Sequence, residues 1–153
     1  FVHKLSGMYR YMLKNEIDTL IPLRDELAFV GMYTDLLKVR FSCGFEVRTD
    51  VPEEFMSFQV VPCSIQMLVE NALKHNRVSP GNPLYIDMVA KDNRFIVTNT
   101  ISPRMASSEE STKVGLNYIR QQYIDLSGND IEVIDDGKTY SVSLPLLPVQ
   151  KTT

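Results

Sequence analysis

Two helices are predicted at the start of the chain from the spacing of its apolar residues. Residues 1 to about 15 carry apolar side chains every three or four positions, which is typical of an amphipathic helix. A second helix is predicted from Pro22, whose fixed φ suits a first turn, with Asp25 and Glu26 near the positive end of the dipole. Its apolar seam fits either packing along another helix or an ordinary core-facing helix. The seam consists of Leu23, Leu27, Val30, Thr34, Leu37 and Phe41.

The period of the pattern changes to two after Gly44, and this change predicts strands. Apolar and polar residues alternate over residues 45–50, and Pro52 closes the strand. Two later pairs of β-rich runs are each separated by a short turn-like interval, which predicts two hairpins. The runs are residues 84–90 with 94–100, and residues 131–134 with 139–146.

A further helix is predicted from Pro62, and its two faces differ in chemistry. At about 100° per residue, one face is apolar and the opposite face is polar. The apolar face contains Ile65, Leu68, Val69, Ala72 and Leu73, and the polar face contains Glu70, Asn71, Lys74 and His75.

Residues 101–113 lack periodicity and are rich in serine and glutamate, so they are predicted to form a mobile loop. Residues 114–126 are predicted to form another helix. The order of elements predicts an α+β fold, a two-layer α/β sandwich. In it, helices cover one face of a mixed, mainly antiparallel sheet, and a helical segment precedes the sheet.

Composition narrows the class of protein. The chain has 153 residues, of which 44% are hydrophobic, and this is enough material for one compact domain. A formal net charge of -3 gives no electrostatic footprint for DNA or RNA, so no nucleic-acid partner is expected. No run approaches the roughly 18 apolar residues that cross a bilayer. Cys43 and Cys63 fit buried, reduced thiols. Because the chain opens directly into helical periodicity, it is expected to be a fragment of a longer protein.

The polar face beginning at Glu70 combines a carboxylate, an amide, an ammonium and an imidazole within about one turn. Together such groups can ligate a metal ion, accept a proton and contact a phosphate chain. The alternative is a solvated helix face on which Glu70 and Lys74 form an ion pair. Residues 68–76, Leu-Val-Glu-Asn-Ala-Leu-Lys-His-Asn, resemble the N box of the GHKL ATPase superfamily, in the form found in LytS-like sensor histidine kinases.

This resemblance implies a role for each polar residue. Asn71 is implied as the ligand of Mg²⁺, and Glu70 as the catalytic residue that polarises the attacking group. Lys74 and His75 are implied as contacts to phosphate oxygens, so ATP and Mg²⁺ are the expected cofactors. For Asn76, which falls on the apolar side, a buried structural role and a nucleotide contact remain alternatives.

Two more segments resemble the superfamily in part. Residues 114–120 resemble its G2 segment, where glycine lets backbone amides approach phosphate at a helix start. The resemblance implies nucleotide contacts by Lys113, Gly115 and Leu116, although Lys113 stands where the first glycine is expected. Asn99 stands near the place of an aspartate that recognises the adenine amino group, and its amide oxygen is expected to accept that hydrogen bond.

The resemblance also divides the chain and implies an activity. Residues 1–18 would end the dimerisation and phosphoacceptor region, residues 19–41 would be a connecting helix, and residues 42–153 would be the ATP-binding catalytic domain. The implied enzyme is a protein-histidine kinase that transfers the γ-phosphoryl of Mg-ATP to a histidine outside this fragment. The phosphoacceptor motif is absent here, and His3 lacks its context.

The implied partners are a response regulator of the LytTR type and a second copy in a homodimer of the full-length protein. The chain would be a cytoplasmic domain of a sensor anchored in the inner membrane. Two alternatives remain. One is a degenerate interaction module of the GHKL fold that binds no nucleotide, suggested by Lys113 and the missing aspartate. The other is an anti-sigma-type serine kinase, which the dimerisation-like residues 1–41 disfavour.

Overall fold

The structure is a computed structural model that describes residues 19–41, 44–102 and 109–149, with only the backbone described for residues 109–113. The helix predicted over residues 1–15, His3 and Cys43 lie outside these residues. In chain order the elements are β1 (Ile21–Pro22), α1 (Leu23–Arg40), β2 (Phe45–Asp50), a 3-10 turn (Glu53–Phe55), β3 (Gln59–Val60), α2 (Ser64–His75), β4 (Leu84–Lys91), β5 (Arg94–Thr100), α3 (Glu109–Ser127), β6 (Glu132–Asp135) and β7 (Thr139–Pro145).

The main sheet has five strands in the order β2-β4-β5-β7-β6. Strand β2 runs parallel to β4, and the other neighbouring pairs are antiparallel. This arrangement confirms the predicted mixed, mainly antiparallel sheet. Strands β5 and β7 lie side by side although α3 and β6 separate them in sequence. Thr100 at the end of β5 pairs with Thr139 at the start of β7, so residues 101–138, which include α3 and the edge strand β6, begin and end at neighbouring positions of the sheet.

One face of the sheet and the apolar sides of the helices form the core. Inward-facing residues on β4 and β5, among them Ile86, Met88, Phe95 and Val97, are almost fully buried, and their neighbours in sequence are partly exposed. The stripe predicted for α2 is buried as expected, and α2 packs against β4, β5 and α1. The two-layer α+β fold is therefore confirmed.

The seam predicted on α1 also faces the interior. Leu23, Val30 and Thr34 are buried, and the remaining seam positions are partly buried against the core. Helix α1 packs against α2, so its seam contacts another helix and also faces the core, and each of the two predicted alternatives holds in part.

The structure differs from the predicted elements at several boundaries. Helix α3 begins at Glu109 rather than at residue 114, since its first turn is polar and an apolar period cannot reveal it. Residues 103–108 of the predicted loop lie outside the described residues. Helix α2 begins at Ser64, two residues after Pro62. The small antiparallel pair of β1 and β3 was not predicted, because two-residue strands carry no alternation.

Gly44 occupies a position that only glycine fits. Its φ is +136°, and a Cβ atom there would lie 2.6 Å from the carbonyl carbon of Ser79. The carbonyl oxygen of Gly44 accepts a hydrogen bond from the Leu84 backbone N–H at 2.7 Å. This close approach fixes the start of β2 beside the start of β4.

Within the part of the chain that the structure describes, no helix has both the length and the apolar character needed to cross a membrane.

Candidate functional site

Helix α2 presents the polar face that its sequence predicts. Glu70 and Lys74 are exposed, whereas Asn71 and His75 are partly buried. The opposite side of the helix is held in the core by its apolar residues, so the polar side is fixed in direction. The four predicted side chains thus lie along one surface of the helix, as expected.

Asn71 and Gly115 lie next to each other. A Cβ atom at Gly115 would be 3.6 Å from Asn71 Nδ2 and 3.9 Å from Asn71 Oδ1. Asn71 Nδ2 is buried and has no hydrogen-bond partner among the described residues. Buried polar groups are normally hydrogen-bonded, so an orphaned amide beside a glycine fits a site for a polar ligand. A half-turn of the amide would present Oδ1, an oxygen that Mg²⁺ accepts as a ligand.

Glu70 is oriented by residues that the sequence did not single out. Its Oε2 atom accepts a hydrogen bond from Gln66 Nε2 at 3.1 Å. Tyr33 of α1 lies near the same carboxylate. Burial, together with the negative charge of Glu70, raises the Tyr33 pKa to about 12 against the opposing hydrogen bond with Gln66. Gln66 precedes Glu70 by four residues, so helical spacing could have indicated this contact.

Asn76 has a structural role at the end of α2. Its Nδ2 donates to the carbonyl oxygen of Ala72 at 2.8 Å, and its Oδ1 accepts from the backbone N–H of Ser102 at 2.8 Å. The Arg77 N–H also donates to the carbonyl oxygen of Ser102, at 2.8 Å. These contacts hold the end of α2 to the chain just after β5, and they favour the structural alternative for Asn76.

Asn99 lies near the end of β5 on the inward-facing side of the sheet and is buried. Its Nδ2 donates to the carbonyl oxygen of Thr100 at 2.9 Å. An aspartate here could not make this donor contact.

The G2-like segment differs from its predicted geometry. Gly115 lies inside α3, six residues after Glu109, and has no positive φ. Its amide is therefore not at a helix start, and the expectation of phosphate-binding amides at such a start is wrong for this structure. Leu116 packs partly against the core. The side chain of Lys113 lies outside the described residues.

A buried acidic residue of α1, Glu26, binds the backbone at the start of α2. Its Oε1 accepts from the Cys63 N–H at 2.9 Å, and its Oε2 accepts from the Ile65 N–H at 3.1 Å. Desolvation raises the pKa of Glu26 to about 7, against the opposing effect of hydrogen bonds from the backbones of Cys63, Ile65 and Gln66. Glu26 was expected to act on the dipole of its own helix, whereas its carboxylate binds the start of another.

Cys63 is a buried, free thiol, as predicted. Burial raises its pKa to about 12, and the nearby Glu26 carboxylate contributes in the same direction. Such a thiol is protonated at neutral pH and is a weak nucleophile.

The chain is similar to histidine kinases in part of its sequence and in its fold. The family model described as "Histidine kinase" matches residues 1–45, which include α1. The fold is similar to the cytoplasmic segment of histidine kinase QseC, with a TM-score of 0.60 and 18% identity, covering 97% of this chain and 91% of that chain. It is also similar to a nucleotide-free catalytic domain of histidine kinase ThkA, with a TM-score of 0.55 and 21% identity, covering 86% of this chain and 98% of that chain. Over residues 1–45 the chain is therefore similar in sequence to histidine kinases, and its fold is similar to that of the cytoplasmic and catalytic segments of two histidine kinases.

The chain also has relatives in sequence among bacterial sensor proteins. Sensor protein LytS of Enterococcus faecalis is 28% identical over 160 residues, covering 90% of this chain and 26% of the relative. Sensor protein LytS of Bacillus cereus is 39% identical over 72 residues, covering 47% of this chain and 12% of the relative. Sensor protein kinase HptS of Staphylococcus aureus is 28% identical over 121 residues, covering 78% of this chain and 22% of the relative. The chain is thus similar to sensor proteins of the LytS and HptS kinds, and it spans about a quarter or less of the length of these relatives.

Proposed function

We propose that this chain is the ATP-binding catalytic portion of a LytS-like sensor histidine kinase. It transfers the γ-phosphoryl of Mg-ATP to a histidine outside the fragment. The observation that supports this proposal best is the orphaned Asn71 amide on α2, which lies next to Gly115 on α3. The same pair belongs to the two segments whose sequence resembles the nucleotide-binding motifs of the superfamily.

In the proposed site, Asn71 holds Mg²⁺ and the phosphate chain near α2. The described residues contain no group of three or more histidine, cysteine, aspartate or glutamate side chains that could hold a metal ion. A cation at Asn71 would therefore take most of its ligands from phosphate and water, as Mg²⁺ commonly does. When bound, the cation neutralises charge on the phosphate oxygens.

Lys74 and His75 follow Asn71 by about one turn and would contact phosphate oxygens, with Lys74 acting as a point charge. Lys113 would add a further basic group, and Gly115 and Leu116 on α3 would border the site. Asn99 would accept a hydrogen bond from the adenine amino group. An amide acceptor is weaker than a carboxylate for this purpose, by about half.

Glu70 is proposed as the catalytic residue. Its exposed carboxylate, oriented by Gln66, would accept a hydrogen bond from the attacking imidazole and so increase the nucleophilicity of its free nitrogen. The remaining catalytic effect would come from positioning, because phosphoryl transfer requires little covalent chemistry from the protein.

The cellular setting follows from the same proposal. The chain would act as the cytoplasmic kinase domain of a membrane-anchored homodimer. The phosphoryl group would then pass to an aspartate of a response regulator, for which a LytTR-type protein is the expected partner.

Nucleotide binding is the direct test. Thermal unfolding of the chain is followed with and without Mg-ATP and Mg-ADP. A ligand present at 100 times its Kd stabilises the native state by about 2.7 kcal/mol, which raises the Tm by roughly 5–10 °C for a chain of this size. No shift at millimolar nucleotide would favour the alternative of a degenerate, nucleotide-free module.

Asn71→Ala tests the metal assignment. The variant is expected to weaken binding of Mg-ATP and to reduce the difference between affinities measured with and without Mg²⁺. Asn129→Ala is the matched control, because Asn129 is an exposed asparagine beyond the end of α3. Unchanged affinity of Asn71→Ala in the presence of Mg²⁺ would contradict the assignment.

A further inference from the structure

The first turn of α2 is capped by another helix. The N-cap residue, Cys63, has a φ of +66° and makes no side-chain capping hydrogen bond. The first backbone N–H groups of any helix lack acceptors within the helix. Here the acceptor is the Glu26 carboxylate of α1, which receives hydrogen bonds from Cys63 and Ile65 at 2.9 and 3.1 Å. The start of α2 is thus set by a side chain 37 residues earlier in the sequence.

Glu26 makes this contact from a fully buried position, with 0% of its surface exposed. A carboxylate can remain in such a place only if hydrogen bonds and favourable charge replace its water. The positive end of the α2 dipole and the backbone N–H groups provide both. The contact is therefore directional, since moving the carboxylate away from these N–H groups would leave buried polar atoms unpaired.

Helix α3 also contacts the first turn of α2. The Tyr123 hydroxyl lies 3.0 Å from Ser64 Oγ and accepts a hydrogen bond from the Val61 N–H at 3.3 Å. Tyr123 and Ser64 are buried, with 0% and 1% exposure. Tyr123 follows Gly115 by about two turns of α3. We call Glu26, Ser64 and Tyr123 the α2 junction.

We propose that Glu26 is a positioning residue for the nucleotide site. By holding the first turn of α2, it sets where Asn71 and Glu70 lie relative to Gly115 on α3. The residues matched by the histidine kinase family model include Glu26, so the junction also joins that region to the polar face of α2. This inference rests on the proposed function, because nucleotide affinity is its readout.

Glu26→Gln is the informative substitution. Glutamine has nearly the same shape, and its amide oxygen can still accept one of the two N–H groups. Its NH₂ group would face the other N–H, so donor would meet donor in a buried place. We expect α2 to shift at its first turn and the variant to bind Mg-ATP at least about tenfold more weakly, as when a residue that orients a metal ligand is lost.

The control is Val30→Ala. Val30 is also buried on α1, with 2% exposure, and lies one turn after Glu26. This change removes apolar packing and leaves the contacts of the α2 junction in place. Affinity for Mg-ATP is measured by calorimetry at a temperature at which circular dichroism shows every variant to be fully folded. Val30→Ala is expected to lose stability and keep the affinity of the wild type.

The outcomes separate the two proposals. If the wild-type chain binds Mg-ATP and Glu26→Gln binds it equally well, Glu26 is not a positioning residue and the proposed function stands. An equal loss of affinity in Glu26→Gln and Val30→Ala also overturns the inference, because a loss of packing on α1 would then be enough to weaken nucleotide binding. If the wild-type chain binds no nucleotide, both proposals fail. Should Glu26→Gln not fold, Tyr123→Phe tests the same junction by removing one hydroxyl, and a wild-type affinity in that variant overturns the inference.

Discussion

Gly115→Ala should change stability and nucleotide affinity in opposite directions. Gly115 lies in the interior of α3, where glycine is less favourable than alanine by about 0.5–1 kcal/mol. The added Cβ atom would meet Asn71 Nδ2 at 3.6 Å and the terminal methyl carbon of Met67 at 4.0 Å, which are ordinary van der Waals contacts. The substitution therefore fits without a clash, and we expect the free energy of unfolding to rise by about 0.5–1 kcal/mol.

The same methyl group occupies the space beside the Asn71 amide. A phosphate oxygen or hydrated cation that uses this space would have to move away from Asn71. We expect the affinity for Mg-ATP to fall about tenfold, which corresponds to about 1.4 kcal/mol of binding free energy. The assay is calorimetric titration with Mg-ATP, combined with urea unfolding of the same samples without nucleotide.

Gly31→Ala is the matched control for this experiment. Gly31 lies in the interior of α1, and a Cβ atom there would point into open space. It should give a similar gain in stability and leave the affinity unchanged. A loss of stability in Gly115→Ala would refute the geometry of α3. A gain in stability with unchanged affinity would show that Gly115 does not border the nucleotide.

Three further predictions concern stability. The Glu26 pKa is about 7 in the folded chain, above its ordinary value of 4.5, so folding favours the protonated side chain. The contribution of this side chain to the free energy of unfolding is therefore complete below pH 4.5 and is lost as the pH rises through 7. The stability of the wild type relative to Glu26→Gln should therefore fall by roughly 3 kcal/mol between pH 4.5 and 8 in urea titrations, and a constant difference would contradict the shifted pKa. Gly44→Ala should lower the free energy of unfolding by more than about 2 kcal/mol, because Gly44 has a positive φ and its Cβ would meet the backbone of Ser79. Gly81→Ala, with open space around the added Cβ, should be nearly neutral in thermal unfolding. Asn76→Ala should cost about 1–3 kcal/mol by the same measurement, since its two hydrogen bonds to backbone are lost; a wild-type Tm would exclude the structural role.

Local patterns were enough to predict most of the fold. The two faces of α2 and both hairpins follow from periodicity, because each depends on residues that are close in sequence. The strand from Phe45 was also found by its alternation, although only its first residue is fully buried. Its parallel pairing with β4 could not be obtained from alternation, which is the same in both directions.

Contacts between distant segments could not be predicted. Glu26 looks like any acidic residue in a first helical turn, and nothing nearby in sequence indicates that it caps α2. The pairing of β1 with β3 and the isolated bridge between Gln59 and Leu147 depend in the same way on long-range packing. Such contacts are set by how the layers assemble and not by the properties of one segment.

For the candidate site, two of the residues that the motifs predict are neighbours in the structure, whereas the local geometry predicted at Gly115 differs. Asn71 and Gly115 were assigned to one site from separate motifs, and the structure places them side by side. The helix start expected at Gly115 was wrong because the polar turn before it is also helical. The contact of Gln66 with Glu70 has the i, i+4 spacing of helical neighbours, but this spacing alone does not distinguish it from other glutamine positions on a helix.

The pairing of Thr100 with Thr139 has a consequence for how chains of this kind can change. Because the two residues are neighbours in the sheet, the segment between them, which includes α3 and the edge strand β6, is closed at its two ends. Doubling the length of a flexible loop adds only about 0.6 kcal/mol to its closure cost. Residues could therefore be inserted or removed in the connections on either side of α3 and β6 while β4, β5 and β7 keep their register, so the length of this segment can vary on a constant central sheet.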